Sequence, residues 1–220
     1  MRAKADIIHG LLHPGIIAIV RTERPEPIPE ICDALLKGGI QAIEITLTVP
    51  DALSAIRQVR KQFDARIFLG AGTVLSVEAC RAARDAGAEY VVTPVTKPEV
   101  IQEANRQQIP IMSGAYTPTE AQFAHELGAD FIKLFPADQL GPTYIKALRA
   151  PLPHLRIVPT GGVDPQTAPA FLEAGCAALG AGSSLVSARW VREKNWTEMT
   201  AQAARFVEVV NGARAARSSI

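Results

Sequence analysis

Along the chain, short apolar runs alternate with longer stretches in which apolar residues recur every three or four positions. The short runs are GIIAIVR (15–21), QAIEIT (41–46), RIFLGAG (66–72), EYVVTP (89–94), IPIMSGA (109–115), DFIKLFP (130–136), RIVPTGG (156–162) and CAALGAG (176–182), and they predict eight strands. Segments between them, such as PEPIPEICDALLKGG, SVEACRAARDAGA and TPTEAQFAHELGA, carry the helical period. Local punctuation agrees. Thr117-Pro118-Thr119-Glu120 reads as a capping box with proline at the first helical position, and Asp164-Pro165 opens another helix in the same way. Gly39, Gly87, Gly128 and Gly175 each close a helix just before the second, fourth, sixth and eighth strands, so a unit of two βα pairs occurs four times. This alternation predicts an α/β fold, a (β/α)8 TIM barrel, with a doubly wound open sheet as the other architecture the pattern allows. Residues 2–12 predict an extra N-terminal amphipathic helix over the barrel floor. No linker divides residues 1–220, which read as one domain, and NGARAARSSI, about 212–220, reads as a flexible tail.

Composition narrows the function. The 220 residues are 48% hydrophobic and 20% charged with a net charge of +1, the profile of an ordinary soluble protein. With 5% aromatic residues and no basic stripe, nucleic acid is not an expected partner. Cys32, Cys80 and Cys176 are far apart and lack metal-ligand or disulfide spacing, so no metal site is expected and a cytoplasmic location fits. No apolar run approaches the ~20 residues of a membrane span, and the N-terminus is too polar for a signal peptide.

Strand alternation then assigns directions. In DFIKLFP, Phe131, Lys133 and Phe135 share one face, while Ile132 and Leu134 form the aliphatic face that suits the outer helices. Lys133 therefore points into the barrel. The remaining six lysines fall on predicted helices or helix starts, where a solvated face explains them. Lys133 is either a long stem whose charge reaches water or an amine held among apolar walls, which disfavour its charged form and leave a nucleophile for carbonyls. Glu44 of QAIEIT is inward by the same parity, either as an ion-pair partner for Lys133 or as the acid and base that carbonyl chemistry requires. Histidines 9, 13, 125 and 154 lie away from the strand ends and read as surface or helix-packing residues.

Glycine-rich segments follow the strands on the face where barrel enzymes carry their chemistry. TGGV and AGSS, after the seventh and eighth strands, match a phosphate cradle in which Gly161, Gly162, Gly182 and Ser183 present amides and a short helix begins after Ser183.

IEIT around Glu44, GAGTVL (70–75), KLFPA from Lys133, PTGGV (159–163) and GAGSSLV (180–186) together resemble the 2-dehydro-3-deoxy-phosphogluconate (KDPG) aldolase / 4-hydroxy-2-oxoglutarate (KHG) aldolase family over about residues 15–210. The resemblance implies a homotrimeric class I aldolase, a lyase using no metal or cofactor beyond a covalent Schiff base, with substrate cleaved to pyruvate and glyceraldehyde 3-phosphate. It makes Lys133 the Schiff-base lysine, Glu44 the general acid/base, Thr73 a contact to the pyruvate carboxylate, and the two glycine loops the phosphate site. One position departs: gluconate-type members have an arginine four residues after the glutamate, where this chain has Thr48. Arg21, at the end of the first strand and on its inward parity, is the expected replacement for binding the carboxylate. KLFPADQLGPTYIKAL (133–148) resembles the phosphogalactonate enzymes, whereas Thr160 before the glycine pair is the gluconate-type residue and supplies a hydroxyl for substrate. The gluconate epimer is the expected substrate, with hydroxyoxoglutarate cleavage to pyruvate and glyoxylate by the same imine chemistry. A non-covalent isomerase or decarboxylase on a sugar phosphate, and a non-catalytic binding trimer, are the other classes these residues fit.

Overall fold

The computed structural model describes residues 2–218. The chain runs α1 (Lys4–Leu12), β1 (Ile16–Val20), α2 (Ile28–Lys37), β2 (Ala42–Thr46), α3 (Ala52–Phe63), β3 (Phe68–Gly72), α4 (Val77–Asp85), β4 (Tyr90–Val92) and α5 (Pro98–Arg106). It continues through β5 (Ile111–Ala115), α6 (Pro118–Glu126), β6 (Phe131–Leu134), α7 (Gly141–Arg149), β7 (Ile157–Pro159), α8 (Ala168–Glu173), β8 (Leu179–Ala181), α9 (Ala188–Glu193) and α10 (Trp196–Ser218). The strands pair in parallel in the order β7-β6-β5-β4-β3-β2-β1-β8. A bridge between Thr160 and Gly180, with the Ala177 amide donating to the Ile157 carbonyl at 2.9 Å, joins the two ends, so the sheet is a barrel and not an open doubly wound sheet.

The repeated glycines have a common backbone cause. Gly39, Gly87, Gly128 and Gly175 all have φ between 89° and 109°, the left-handed region that glycine occupies without a Cβ clash. Each is followed by a residue whose amide reaches five positions back, as from Ile40 to Leu35 at 2.9 Å and from Ala129 to Ala124 at 3.0 Å. This is the Schellman ending, which stops α2, α4, α6 and α8 and turns the chain into the next strand. At α6 the capping box forms as the sequence predicts: the Glu120 carboxylate accepts from the Thr117 amide at 2.8 Å. Asp164 instead caps a turn, accepting from the Gln166 and Thr167 amides at 2.9 and 2.8 Å, and regular helix begins only at Ala168.

Two apolar layers result. Ile43, Ile45, Ile132 and Leu134 face outward into the layer between strands and helices, while Ile17, Ala42, Tyr90, Val92, Met112, Phe131, Val158 and Ala178 fill the barrel. Helix α1 closes the floor by adding Ile7 and Leu11 to that interior, and Lys4 bonds Asp130 at 2.9 Å. The tail is a correction. Helix α10 continues through Ser218, and Arg214 donates to the carbonyls of Leu12 and, at 2.8 Å, Ala177. The alanines and arginines of the tail are strong helix formers, and Arg214 satisfies carbonyls at the floor. The rest of the expected tail, 219–220, lies outside the described residues. No described helix is long and apolar enough to cross a membrane.

Candidate active site

The open end of the barrel collects the residues singled out above. Lys133, in register between Gly114 and Val158, is 7% exposed and is the only buried lysine or arginine among the described residues. Its Nζ lies 5.3 Å from the centre of the Phe135 ring, a cation–π distance. Phe135 remains 40% exposed at the rim and forms an apolar wall beside the amine. Glu44 enters from β2, which is opposite β6 in the ring of eight strands, and is buried. Its carboxylate occupies the space over Gly72, where an added Cβ would sit 2.2 Å from Oε1. Glycine at 72 is thus what admits the acid. Among the described residues neither Lys133 nor Glu44 has an ion-pair partner, so they do not neutralise one another. Two buried charged side chains facing each other across a barrel mouth, without a bridge between them, leave room for a reactant.

The rim supplies the remaining groups. Thr73 follows β3 directly and is half-buried. Arg21 follows β1, next to the strand carrying Glu44, is exposed, and has no ion-pair acid among the described residues. Thr48 cannot take the place of a cation; its hydroxyl turns back to Thr46 Oγ1 at 3.1 Å. Thr160 is buried at the seam of β7 and β8. Its amide donates to Leu134 at 3.0 Å, its carbonyl accepts from Ala137 at 2.9 Å, and its Oγ1 packs on Gly180.

Gly161 and Gly162 have φ of +102° and +67°, with Asp138 packed behind them, so both conformation and space require glycine. The amides of Gly161, Gly162 and Ser183 have no backbone acceptor among the described residues. Nothing lies within 4 Å of where a Gly182 side chain would be, and Ser183 is exposed. The helix expected to begin after Ser183 is a single turn, in which the Leu185 and Val186 amides donate to Gly182 O at 2.9 and 2.8 Å; α9 starts at Ala188. Ser184, which sequence reasoning passed over, donates to Val163 O at 2.6 Å and so ties the two glycine loops into one concave edge. Its signal was only a second serine beside Ser183.

Other chemistries find less support. The four histidines are exposed; His9 stacks on His13 at the end of α1, and His125 meets His154 at a tilt on the outside. Burial pushes the Cys32 thiol far above its ordinary range and Cys80 up to about 11, so neither is a ready thiolate. No cluster of three or more potential metal-ligating His, Cys, Asp or Glu side chains occurs among the described residues.

Comparison with known proteins gives the family. The model of the KDPG and KHG aldolase family matches residues 7–202. The chain belongs to the KDPG and KHG aldolase family. Members of this family are lyases. The chain is 33% identical over 205 residues to the 2-dehydro-3-deoxy-phosphogluconate aldolase of Treponema pallidum, covering 93% of this chain and 97% of that one. It is 37% identical over 195 residues to the 2-dehydro-3-deoxy-6-phosphogalactonate aldolase of Escherichia coli, covering 88% and 93%. Among solved structures it is similar to KDPG aldolase from Legionella pneumophila with pyruvate captured at low pH as a covalent carbinolamine intermediate, at a TM-score of 0.80 and 25% identity over 89% of this chain and 96% of that one.

Proposed function

We propose that the chain is a class I aldolase that cleaves 2-dehydro-3-deoxy-6-phosphogluconate to pyruvate and glyceraldehyde 3-phosphate through an imine on Lys133. The observation that carries this reading is the burial at the barrel mouth of an amine with no ion-pair partner among the described residues, opposite a carboxylate that likewise has none. A carbinolamine forms when an amine adds to a ketone, and the Legionella structure has that intermediate on the same fold.

Glu44 takes a proton from Lys133 through a water, the freed nitrogen adds to the C2 ketone, and Glu44 returns the proton to the departing hydroxyl so that water leaves and an iminium remains. The C4 hydroxyl proton passes to Glu44 as the C3–C4 bond breaks. Its electron pair moves to the iminium, giving the aldehyde and an enamine. Protonation at C3 and return of water release pyruvate and the free lysine. Arg21 and Thr73 hold the carboxylate end, and the amides of Gly161, Gly162, Gly182 and Ser183 hold the phosphate, which fixes the breaking bond between two anchors. No metal or prosthetic group takes part in this scheme. The same imine chemistry serves 4-hydroxy-2-oxoglutarate. A homotrimer in the cytoplasm is the assembly and location we infer from the family resemblance.

The galactonate epimer is a second reading, favoured by Thr48 in place of arginine and by the 37% identity to the Escherichia coli enzyme. Thr160 favours gluconate, because its hydroxyl, buried at the seam beside Gly180, is available to bond a substrate hydroxyl. Comparing kcat/KM for the two epimers separates the readings. The test of the chemistry itself is intact mass after incubation with pyruvate and sodium borohydride, followed by peptide mapping. A reduced pyruvyl adduct on Lys133 supports the imine; no adduct on folded protein overturns it in favour of non-covalent isomerase or decarboxylase chemistry.

A further inference from the structure

Tyr90 is a buried polar side chain of the barrel interior that the scheme above leaves without work. It is 1% exposed, and its buried hydroxyl has no hydrogen-bond partner among the described residues, while Ile17, Met112 and Phe131 are among the apolar side chains that share the interior with it. An unsatisfied hydroxyl in such surroundings is costly, and a phenylalanine would fill the same space without that cost. The oxygen therefore calls for a function.

Register gives one. Gly70 pairs with Glu44 on one side and with Tyr90 on the other. The hydroxyl-bearing edge of the Tyr90 ring lies over Gly70, where an added Cβ would be 2.2 Å from Cζ, and the Glu44 carboxylate lies over Gly72, two residues nearer the mouth. These inward positions on one strand are separated by roughly 6.6 Å. A water held between neighbouring inward positions has the Tyr90 hydroxyl and the Glu44 carboxylate as its polar partners. Two glycines in alternate inward positions of β3 thus make room for both side chains, the Tyr90 ring one step below the Glu44 carboxylate.

We propose that Tyr90 is a positioning residue for Glu44, its hydroxyl donating through one bridging water to the carboxylate and so holding the carboxylate toward the mouth in its ionised form. Burial first, and then the negative charges of Glu44 and Glu89, keep the Tyr90 hydroxyl well above the ordinary tyrosine range, so it remains a donor. The other charged groups here are Lys133 across the barrel and Glu89 at the start of β4, the latter paired with Arg60 and Arg2. The proposal rests on the reading of Glu44 as the proton-transferring group.

The test is the pH profile of cleavage by Tyr90→Phe, which keeps the ring against Gly70 and removes only the oxygen. A donor to a carboxylate favours its ionised form, so its loss moves the acid limb of kcat/KM to higher pH, by about one unit, with a fall of about tenfold below that limb. KM near the optimum and adduct formation with pyruvate and borohydride stay close to wild type. In a Glu44→Gln background Tyr90→Phe has no further effect. A profile superimposable on wild type, or a loss that adds in full to that of Glu44→Gln, overturns the proposal. The double-variant comparison also holds if Tyr90→Phe lowers stability, because a general packing defect adds and a defect acting through Glu44 does not. Failure of the wild-type protein to form any adduct overturns the aldolase reading instead, and the proposal with it.

Discussion

Glu44 and Glu103 are equally hidden, at 2% and 3% exposure, yet their surroundings are opposite. Glu103, on α5 in the outer layer, accepts from Arg81 at 2.8 Å and Gln107 at 2.7 Å and also pairs with Arg106. Glu89, at the foot of β4, is similarly supplied by Arg60 at 2.7 Å and by Arg2. Glu44 has no ion-pair partner among the described residues, and neither does Lys133. A buried charge that is fully paired can be kept for structure, whereas an unpaired one is a standing cost that structure alone does not justify. The contrast separates groups that hold the barrel together from groups that wait for a reactant.

If the contrast is sound, removing the unpaired charges abolishes activity without weakening the fold. Lys133→Met has the largest effect: cleavage falls to background and the borohydride adduct disappears, while the melting temperature holds or rises because an isolated buried ammonium has been removed. Glu44→Gln lowers kcat by about 10²–10⁴-fold, the usual contribution of a positioned acid or base, and still forms some adduct with pyruvate. Either variant melting well below wild type shows that the two charges are structural after all.

Arg21 tests the comparison on the opposite sign of charge at the rim. Unlike Arg60 and Arg81 it has no acid among the described residues, so its alanine variant takes away a ligand contact and little else. Arg21→Ala weakens pyruvate binding by about tenfold, in keeping with the loss of a charge-assisted hydrogen bond, and leaves thermal stability within a degree or two. Unchanged pyruvate affinity in a titration assigns the carboxylate to other groups.

What was legible in the sequence follows from what period-two alternation and helix punctuation encode. Parity alone put Lys133 and Glu44 inside, and the glycines before alternate strands gave the barrel its repeat, because both signals are local to one element. Contacts between elements were not legible. The bond from Ser184 to Val163 and the overlay of Tyr90 on Gly70 depend on how neighbouring strands and loops are set against each other, which no single segment states. The tail misled for a related reason: its polar composition hid a helix whose Arg214 finds carbonyls from the end of α1 and the segment before β8. The placement of Lys133 and Glu44 is geometry that strand parity already carried.

The paired side of the comparison has its own, smaller prediction. The hydrogen bond from Arg81, then that from Gln107, followed by the charges of Arg81 and Arg106, hold the Glu103 carboxyl down at about 2, against an ordinary value of 4.5. A carboxyl depressed in the folded state adds stability above its unfolded value and loses it as the pH falls through the folded one. Glu103 thus supports the fold at neutral pH, and its contribution drains away between about 4.5 and 2. Glu103→Gln lowers the melting temperature by a few degrees at pH 7, leaves kcat unchanged, and flattens the decline of stability across that acid window. Wild-type and variant melting curves that run parallel from pH 7 to pH 2 show that the exposed portions of Arg81 and Arg106 are screened well enough for the cluster to contribute little. That outcome confines the contrast with Glu44 to the chemistry of the barrel mouth.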